Sequence, residues 1–275
     1  MRITLVGAHN PGRYTGQGNN TYLLGGPEAV LIDAGTGHPA HLDELEAALA
    51  RHEAALSAVL VTHAHVDHAS GAPAIAARWP GARFLKMPWV DRDAAYPVAW
   101  VALADGEEVV VIDRATRHTL EALHTPGHAP DHLAFWDAQT RTLFGGDLAM
   151  QGGSIVIPAS HGGNVADYLA SLRRVMALEA DRLLPAHGPA IDGPRDLLAR
   201  CIQHREAREA QILAAVRSGH RTLESIADNV YDGLAEALRA AARDTVLAHL
   251  IKLDVEGKVA RIADEWQALN DEQLT

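Results

Sequence analysis

A layered α+β sandwich followed by a helical, winged-helix-like domain is the fold class that the sequence predicts. Strand-like runs alternate with helical patterns through residues 21–184, and the strand signals nearly stop after the Pro- and Gly-rich stretch from Pro185 to Pro194. Beyond it come three helical patterns and a short hairpin signal. Elements that are apolar on one face must bury it against one another, and strands interleaved with helices do so as stacked layers. The composition shift divides the chain into a unit at residues 1–192 and another at 193–275.

Residues 1–7 read as a short strand. Residues 21–24 and 29–33 are strand-like and separated by Gly25-Gly26-Pro27, a turn signal. Residues 41–50 carry Leu42, Leu45 and Leu49 at helical spacing. A strand at 59–62 precedes a helix at 69–79, and later strands are expected at 83–86, 109–112, 119–124, 132–136, 142–144, 155–157 and 182–184. A helix is expected at 164–178. In the second unit, residues 194–217 read as a long helix with Leu198, Ile202, Ile212, Leu213 and Val216 as its apolar stripe. Ser218-Gly219 breaks it, and Thr222 is placed to cap a helix at 223–229. A last helix at 234–253 and the turn Glu256-Gly257-Lys258 complete a winged-helix pattern.

The chain has 275 residues, 48% of them hydrophobic, enough for one large domain or a large and a small one. No apolar run approaches the roughly 20 residues needed to span a bilayer, and the N-terminus lacks the long apolar core of a signal peptide. Cys201 is the only cysteine, so no intrachain disulfide can form and the cytoplasm is the expected setting. The net charge of −11 argues against a broad polyanion-binding surface. Residues 193–275 carry 11 Lys and Arg against 14 Asp and Glu, a net of −3, which favours a packing or dimer-forming module over a nucleic-acid reader.

Within Thr62-His63-Ala64-His65-Val66-Asp67-His68, three histidines and one aspartate follow the apolar run Ala58-Val59-Leu60-Val61. Imidazole nitrogens and a carboxylate crowded at a strand end are the ligands a zinc-type cation needs. His63 and His65 share one side of an extended segment because side chains two apart do. A turn into a helix after them would aim Asp67 and His68 at a second point. Burying these groups without a cation would leave polar atoms unpartnered, which is costly. His128, Asp147 and His187, each beside a turn-forming Gly or Pro, raise the number of candidate ligands to seven, enough for two metals.

The order His-x-His-x-Asp-His, then a distant His, a distant Asp and a final His, resembles the metallo-beta-lactamase superfamily. The resemblance implies an αββα sandwich with a dinuclear site along one edge. His63, His65 and His128 would hold the first metal, Asp67, His68 and His187 the second, and Asp147 would bridge them. Two zinc ions are the expected cofactors, with iron or manganese as alternatives given two carboxylates and no cysteine ligand. Within the superfamily the flanks are most similar to the lactamase-beta-2-like group. Asn10-Pro11 and Gly18-Asn19-Asn20-Thr21-Tyr22-Leu23 match its opening, with Asn19 where the group has Thr, and His204-Arg205-Glu206-Ala207-Arg208 matches its tail.

The expected chemistry is hydrolysis by a metal-bridging hydroxide. Asp67, Asp147 and His132 are the expected catalytic residues, Asp67 as the carboxylate that orients the nucleophile and His132 beside the substrate or behind the ligands. Asp33 is expected to hydrogen-bond the histidine-bearing loop. His161, Tyr14, Trp89, Tyr96 and Trp100 are candidates to line the cleft. The acidic charge favours a small-molecule ester, thioester or amide carbonyl as substrate. The group resemblance implies the alternative, an endoribonuclease or phosphodiesterase on single-stranded RNA. No membrane partner is expected, and a homodimer is the expected assembly if the C-terminal segment joins two chains.

Overall fold

The structure, a computed structural model, describes residues 1–269, so the last six residues of the segment expected at 193–275 lie outside the described residues. Two six-stranded sheets carry the sandwich. The first joins β1 (Ile3–Gly7), β2 (Asn20–Leu24), β3 (Glu28–Ile32), β4 (Ala55–Leu60), β5 (Arg83–Lys86) and β6 (Trp100–Ala102) in that order. The second joins β7 (Glu108–Asp113), β8 (Thr116–His124), β9 (Leu133–Asp137), β10 (Thr142–Gly146), β11 (Arg182–Pro185) and β12 (Ile191–Asp192).

Strand alternation explains the layering. Tyr22, Leu24, Val30, Ile32 and Leu60 meet Leu120, Ala122, Phe135 and Phe144 of the other sheet in the central core. The intervening Leu23, Leu31 and Val59 face outward, where helices Pro39–His52 and Ala72–Arg78 bury Leu45, Leu49 and Ile75 against them. Helix Val165–Met176 covers the second sheet with Tyr168, Leu172 and Val175. The result is an αββα sandwich.

Helix Arg195–Arg217 belongs to two cores. Leu198 and Ile202 pack on the sandwich, whereas Ile212, Ala215 and Val216 pack with Ile226, Val246, Leu250 and Trp266. Leu223–Val230, Glu236–Val255 and the hairpin of β13 (Val259–Ile262) and β14 (Glu265–Ala268) complete a winged-helix domain. Thr222 caps its helix, accepting from Ser225 N–H at 3.2 Å.

Two expected elements differ. Residues 155–157 do bury alternate apolar side chains, Ile155 and Ile157, but their backbone joins no sheet. The Ile155 carbonyl accepts from Arg205 and the Val156 carbonyl lies 2.7 Å from His128 Nδ1. The helix expected at 69–79 is two, Val66–Ala69 and Ala72–Arg78. Gly71 N–H turns away to the Gly35 carbonyl at 2.9 Å, and Pro73 has no N–H to continue a ladder. Among the described residues no helix is long and apolar enough to cross a membrane.

The loop between β8 and β9 is pinned at Gly127, whose φ is 131° and whose carbonyl accepts Asn164 N–H at 2.8 Å. A Cβ there would lie 2.3 Å from the Tyr168 backbone. We expect Gly127→Ala to cost about 3 kcal/mol by overpacking, read as a lowered urea midpoint at unchanged slope. An unaltered midpoint would show that helix Val165–Met176 yields freely.

Candidate metal centre

Parallel pairing gathers the site. β3 runs parallel to β4 and β10 parallel to β11, so the residues just past their C-terminal ends emerge at one edge. From these ends come Asp33, the 62–68 segment, Asp147 and His187. The loop from β8 back into β9 brings His128, Asp131 and His132 to the same place.

All seven candidate ligands converge. Three groups have donor atoms within 4.8 Å of one another, namely His63, His65 and His128; His63, His68 and Asp147; and Asp67, His68 and His187. His65 Nδ1 lies 3.0 Å from His63 Nε2 and 2.9 Å from His128 Nε2. Asp147 presents a different oxygen to each side, Oδ2 at 3.3 Å from His128 Nε2 and Oδ1 at 3.3 Å from His187 Nε2. Oδ2 of Asp67 is 3.5 Å from Nε2 of both His68 and His187.

The outer ring nitrogens fix which atoms face inward. His63 Nδ1 donates to Thr62 Oγ1 (3.0 Å), whose own hydroxyl proton goes to Asp33. His68 Nδ1 donates to Asp33 Oδ2 at 2.8 Å, and His128 Nδ1 to the Val156 carbonyl at 2.7 Å. With Nδ1 donating outward, the Nε2 lone pairs of neutral His63 and His128 point at the same spot as His65 Nδ1, the arrangement of ligating imidazoles. The residues therefore fit a metal: His65 Nδ1 has at most one proton to share between two imidazole nitrogens that both present lone pairs, and a cation reconciles the three.

Supporting contacts escaped the sequence reading. Asn19 is buried and donates Nδ2–H to Asp67 Oδ2 at 3.0 Å, while Asn10 Oδ1 accepts Asn19 N–H at 2.9 Å. Asp131 accepts Ala64 N–H at 2.9 Å between the two first histidines and pairs with buried Lys86 at 3.1 Å. Burial pushes the Asp131 carboxyl up in spite of Lys86. The flanking match at Asn10 marked this stretch, in which Asn19 is the departure from the group's Thr; no spacing pattern marked the second contact.

His132, expected as a catalytic residue, is fully buried. Its Nε2 accepts Asp147 N–H at 3.0 Å, which leaves Nδ1–H to donate to Thr125 Oγ1 at 2.8 Å. Gly146, with φ 50°, permits this approach, since a Cβ there would lie 2.6 Å from His132 Nε2. The imidazole has no free face for substrate and instead sets the Asp147 backbone.

Burial, then His68 and His65, holds His63 far below the usual histidine range; burial and His128 lower His65 to about 3. Burial likewise lowers His128 and His132. His68 is the exception: burial opposes the charge, but Asp67, Asp33 and Asp147 carry it well above the ordinary value. Asp147 outweighs burial at His187 in the same sense.

A cavity of about 750 Å³ opens over these ligands. Tyr14, Tyr96, Met150 and His161 line it from the sandwich, and Glu224, Asp244 and Leu247 close it from the winged-helix domain. Asp244 clamps the two parts, accepting from Ser160 N–H at 2.8 Å and Ser160 Oγ at 2.6 Å. Of the aromatic candidates, Trp89 packs 6.5 Å from the His65 ring outside the cavity lining, and Trp100 packs on Phe84.

Residues 14–187 match the metallo-beta-lactamase superfamily and residues 222–266 the beta-lactamase associated winged helix domain. A Caenorhabditis elegans protein named beta-lactamase-like protein 2 homolog is 33% identical, covering 94% of this chain and 85% of its own. An Aspergillus fumigatus protein named atrochrysone carboxyl ACP thioesterase is 32% identical over 82% of this chain and 69% of its own. The fold is shared with a metallo-beta-lactamase family protein from Thermus thermophilus, at a TM-score of 0.79, 24% identity, and 97% and 98% coverage of the two chains.

These electrostatics set a pH dependence for chelator-treated protein. His63, His65, His128 and His132 have folded values below the unfolded 6.5, so their neutral burial is free of penalty above pH 6.5 and costs stability as pH falls below it. His68 and His187, raised, contribute stability below pH 6.5 that is lost as pH rises through their folded values. Below pH 6.5 the raised pair contributes a constant amount, so the four depressed groups set the slope there, and we expect urea midpoints to fall between pH 6.5 and about 4. Midpoints that stay level over this range would show that the four histidines are not held neutral by the fold.

Proposed function

Because the chain belongs to the metallo-beta-lactamase superfamily, we propose that it is a dinuclear metal hydrolase acting on an ester, thioester or amide-type carbonyl of a small molecule. The observation that carries this reading is the pair of donor groups sharing Asp147 at the floor of a walled cavity. His63, His65 and His128 would hold one ion, Asp67, His68 and His187 the other, and Asp147 both. Zinc suits the imidazole-rich set, with iron or manganese as alternatives. Bound there, the ions would supply Lewis acidity and bring the pKa of water near neutrality.

The chain's own residues do the rest. Asn19 donates to Asp67 Oδ2, the oxygen that faces His68 and His187, and so fixes the direction of the whole carboxylate. His132 and Gly146 fix the Asp147 backbone. Tyr96, Met150 and Leu247 offer apolar wall to an acyl group and reduce its contact with water. Arg92 and Arg243 in the wall are matched by Glu224 and Asp244, and the net charge of −11 disfavours a polyphosphate strand. The thioesterase name of the Aspergillus fumigatus relative supports the acyl reading.

Metal analysis of freshly purified protein should give two ions per chain; one or fewer, unchanged by supplementation, would remove the dinuclear reading. His65→Ala and Asp147→Ala should each lose roughly a thousandfold in turnover, with circular dichroism preserved because the ligands lie at the sandwich edge and not in its core. Turnover of thioesters, esters, lactones and lactams should exceed cleavage of single-stranded RNA. Efficient RNA cleavage with no acyl turnover would replace this substrate class with the phosphodiesterase alternative.

A further inference from the structure

A second cavity, of about 480 Å³, lies on the other side of the 150–155 loop and shares Met150, Ser154 and Ile155 with the first. Tyr168 and one face of helix Arg195–Arg217 form the wall opposite, and on that face Arg200, His204 and Arg205 recur at helical spacing. No carboxylate lines it. Arg205 is only 3% exposed, yet its guanidinium makes no ion pair with a carboxylate among the described residues. It donates to Ser154 Oγ at 2.9 Å and to the Ile155 carbonyl, and lies 5.4 Å from the Tyr168 ring centroid. Arg200, exposed at the mouth, also lacks an acidic partner among them. A guanidinium taken out of water without a counter-charge is strongly disfavoured.

We propose that this cavity is an oxyanion site that takes a phosphate group, with Arg205 as its buried anchor and Arg200 as its outer cation. The planar guanidinium fork matches tetrahedral oxyanions. The exposed Gln151, Gly152 and Gly153 border the same cavity. The inference stands apart from the hydrolase reading, because binding is measured without turnover. It also links the two cavities, since Arg205 holds Ile155 and the next carbonyl, that of Val156, holds His128. The phosphate could be free in solution or belong to a phosphorylated thioester whose acyl end lies in the first cavity.

Thermal unfolding of the full-length, metal-loaded protein at constant ionic strength, titrated with inorganic phosphate against chloride, tests the site. A saturable rise in melting temperature is expected. Arg200→Gln and Arg205→Lys should each raise the half-saturating phosphate concentration by about tenfold, the loss of one charge-assisted contact. Arg200→Gln removes an exposed side chain, so it answers the question even if the Arg205 variant folds poorly. Coenzyme A in place of phosphate separates the sources: saturation at concentrations well below phosphate assigns the site to a substrate's tail, and parity assigns it to the free anion. No rise beyond chloride, or a rise that both variants retain in full, overturns the proposal; the latter would place the phosphate on the metals.

Discussion

Everything at the cleft edge answers to one constraint: His65 Nδ1 lies about 3 Å from both His63 Nε2 and His128 Nε2, with too few protons to satisfy both contacts. Lone pairs facing lone pairs at that range repel, and in a buried setting the repulsion is poorly screened. His63 and His128 are held there by Thr62 and the Val156 carbonyl, which accept from their far sides, and Asp33 does the same for neighbouring His68. Each removes one alternative tautomer or rotamer. The site is preorganised by its outer contacts, so a cation entering it would find donors in place.

The sandwich supplies these contacts from distant parts of the chain, which explains its topology near the edge. Asp33 has φ 63°, unusual for a residue with a Cβ, and is kept there by accepting from Thr62 N–H at 2.8 Å as well as from His68. Parallel pairing of β3 with β4 puts acceptor and donors side by side without any loop having to reach. On the other sheet, buried His132 does for Asp147 what Asp33 does for His68. Lys86 and Asp131 tie the Ala64 backbone to the end of β5, so the histidine segment is fastened from both sheets.

The convergence of the candidate ligands was legible in the sequence because their chemistry is concentrated: His63, His65, Asp67 and His68 occupy one short segment, and His128, Asp147 and His187 each sit beside a Gly or Pro at an apolar run's end. Strands and helices were legible wherever period two or 3.6 persisted. Legibility failed where backbone groups were used outside regular structure. Residues 155–157 have a strand's side-chain pattern, but their carbonyls serve His128 and Arg205, and no side-chain pattern records where a carbonyl points. His132 was expected beside the substrate or behind the ligands, and the chain turning back into β9 buries it in the second position, against the Asp147 backbone. Lys86 and Asp131 are separated by 45 positions and look like ordinary polar residues until the sheets close.

Placement of the winged-helix domain gives its acidity a physical sense. A winged helix that reads nucleic acid needs a basic face free for phosphates, but here Arg243 is turned toward the cleft together with Glu224 and Asp244, and Asp244 is bonded to Ser160. The domain is also fused to the sandwich through one continuous helix, whose first half belongs to one core and whose second half to the other. Moving the domain as a rigid unit would therefore strip Leu198 and Ile202 from the sandwich or bend that helix at its middle. Arg205 sits at this middle, buried between Ile202 and Ile212 and bonded to the loop that holds His128. The same side chain that lacks an acidic partner thus occupies the point where cleft, loop and helix meet, and whatever neutralises its charge acts on all of them.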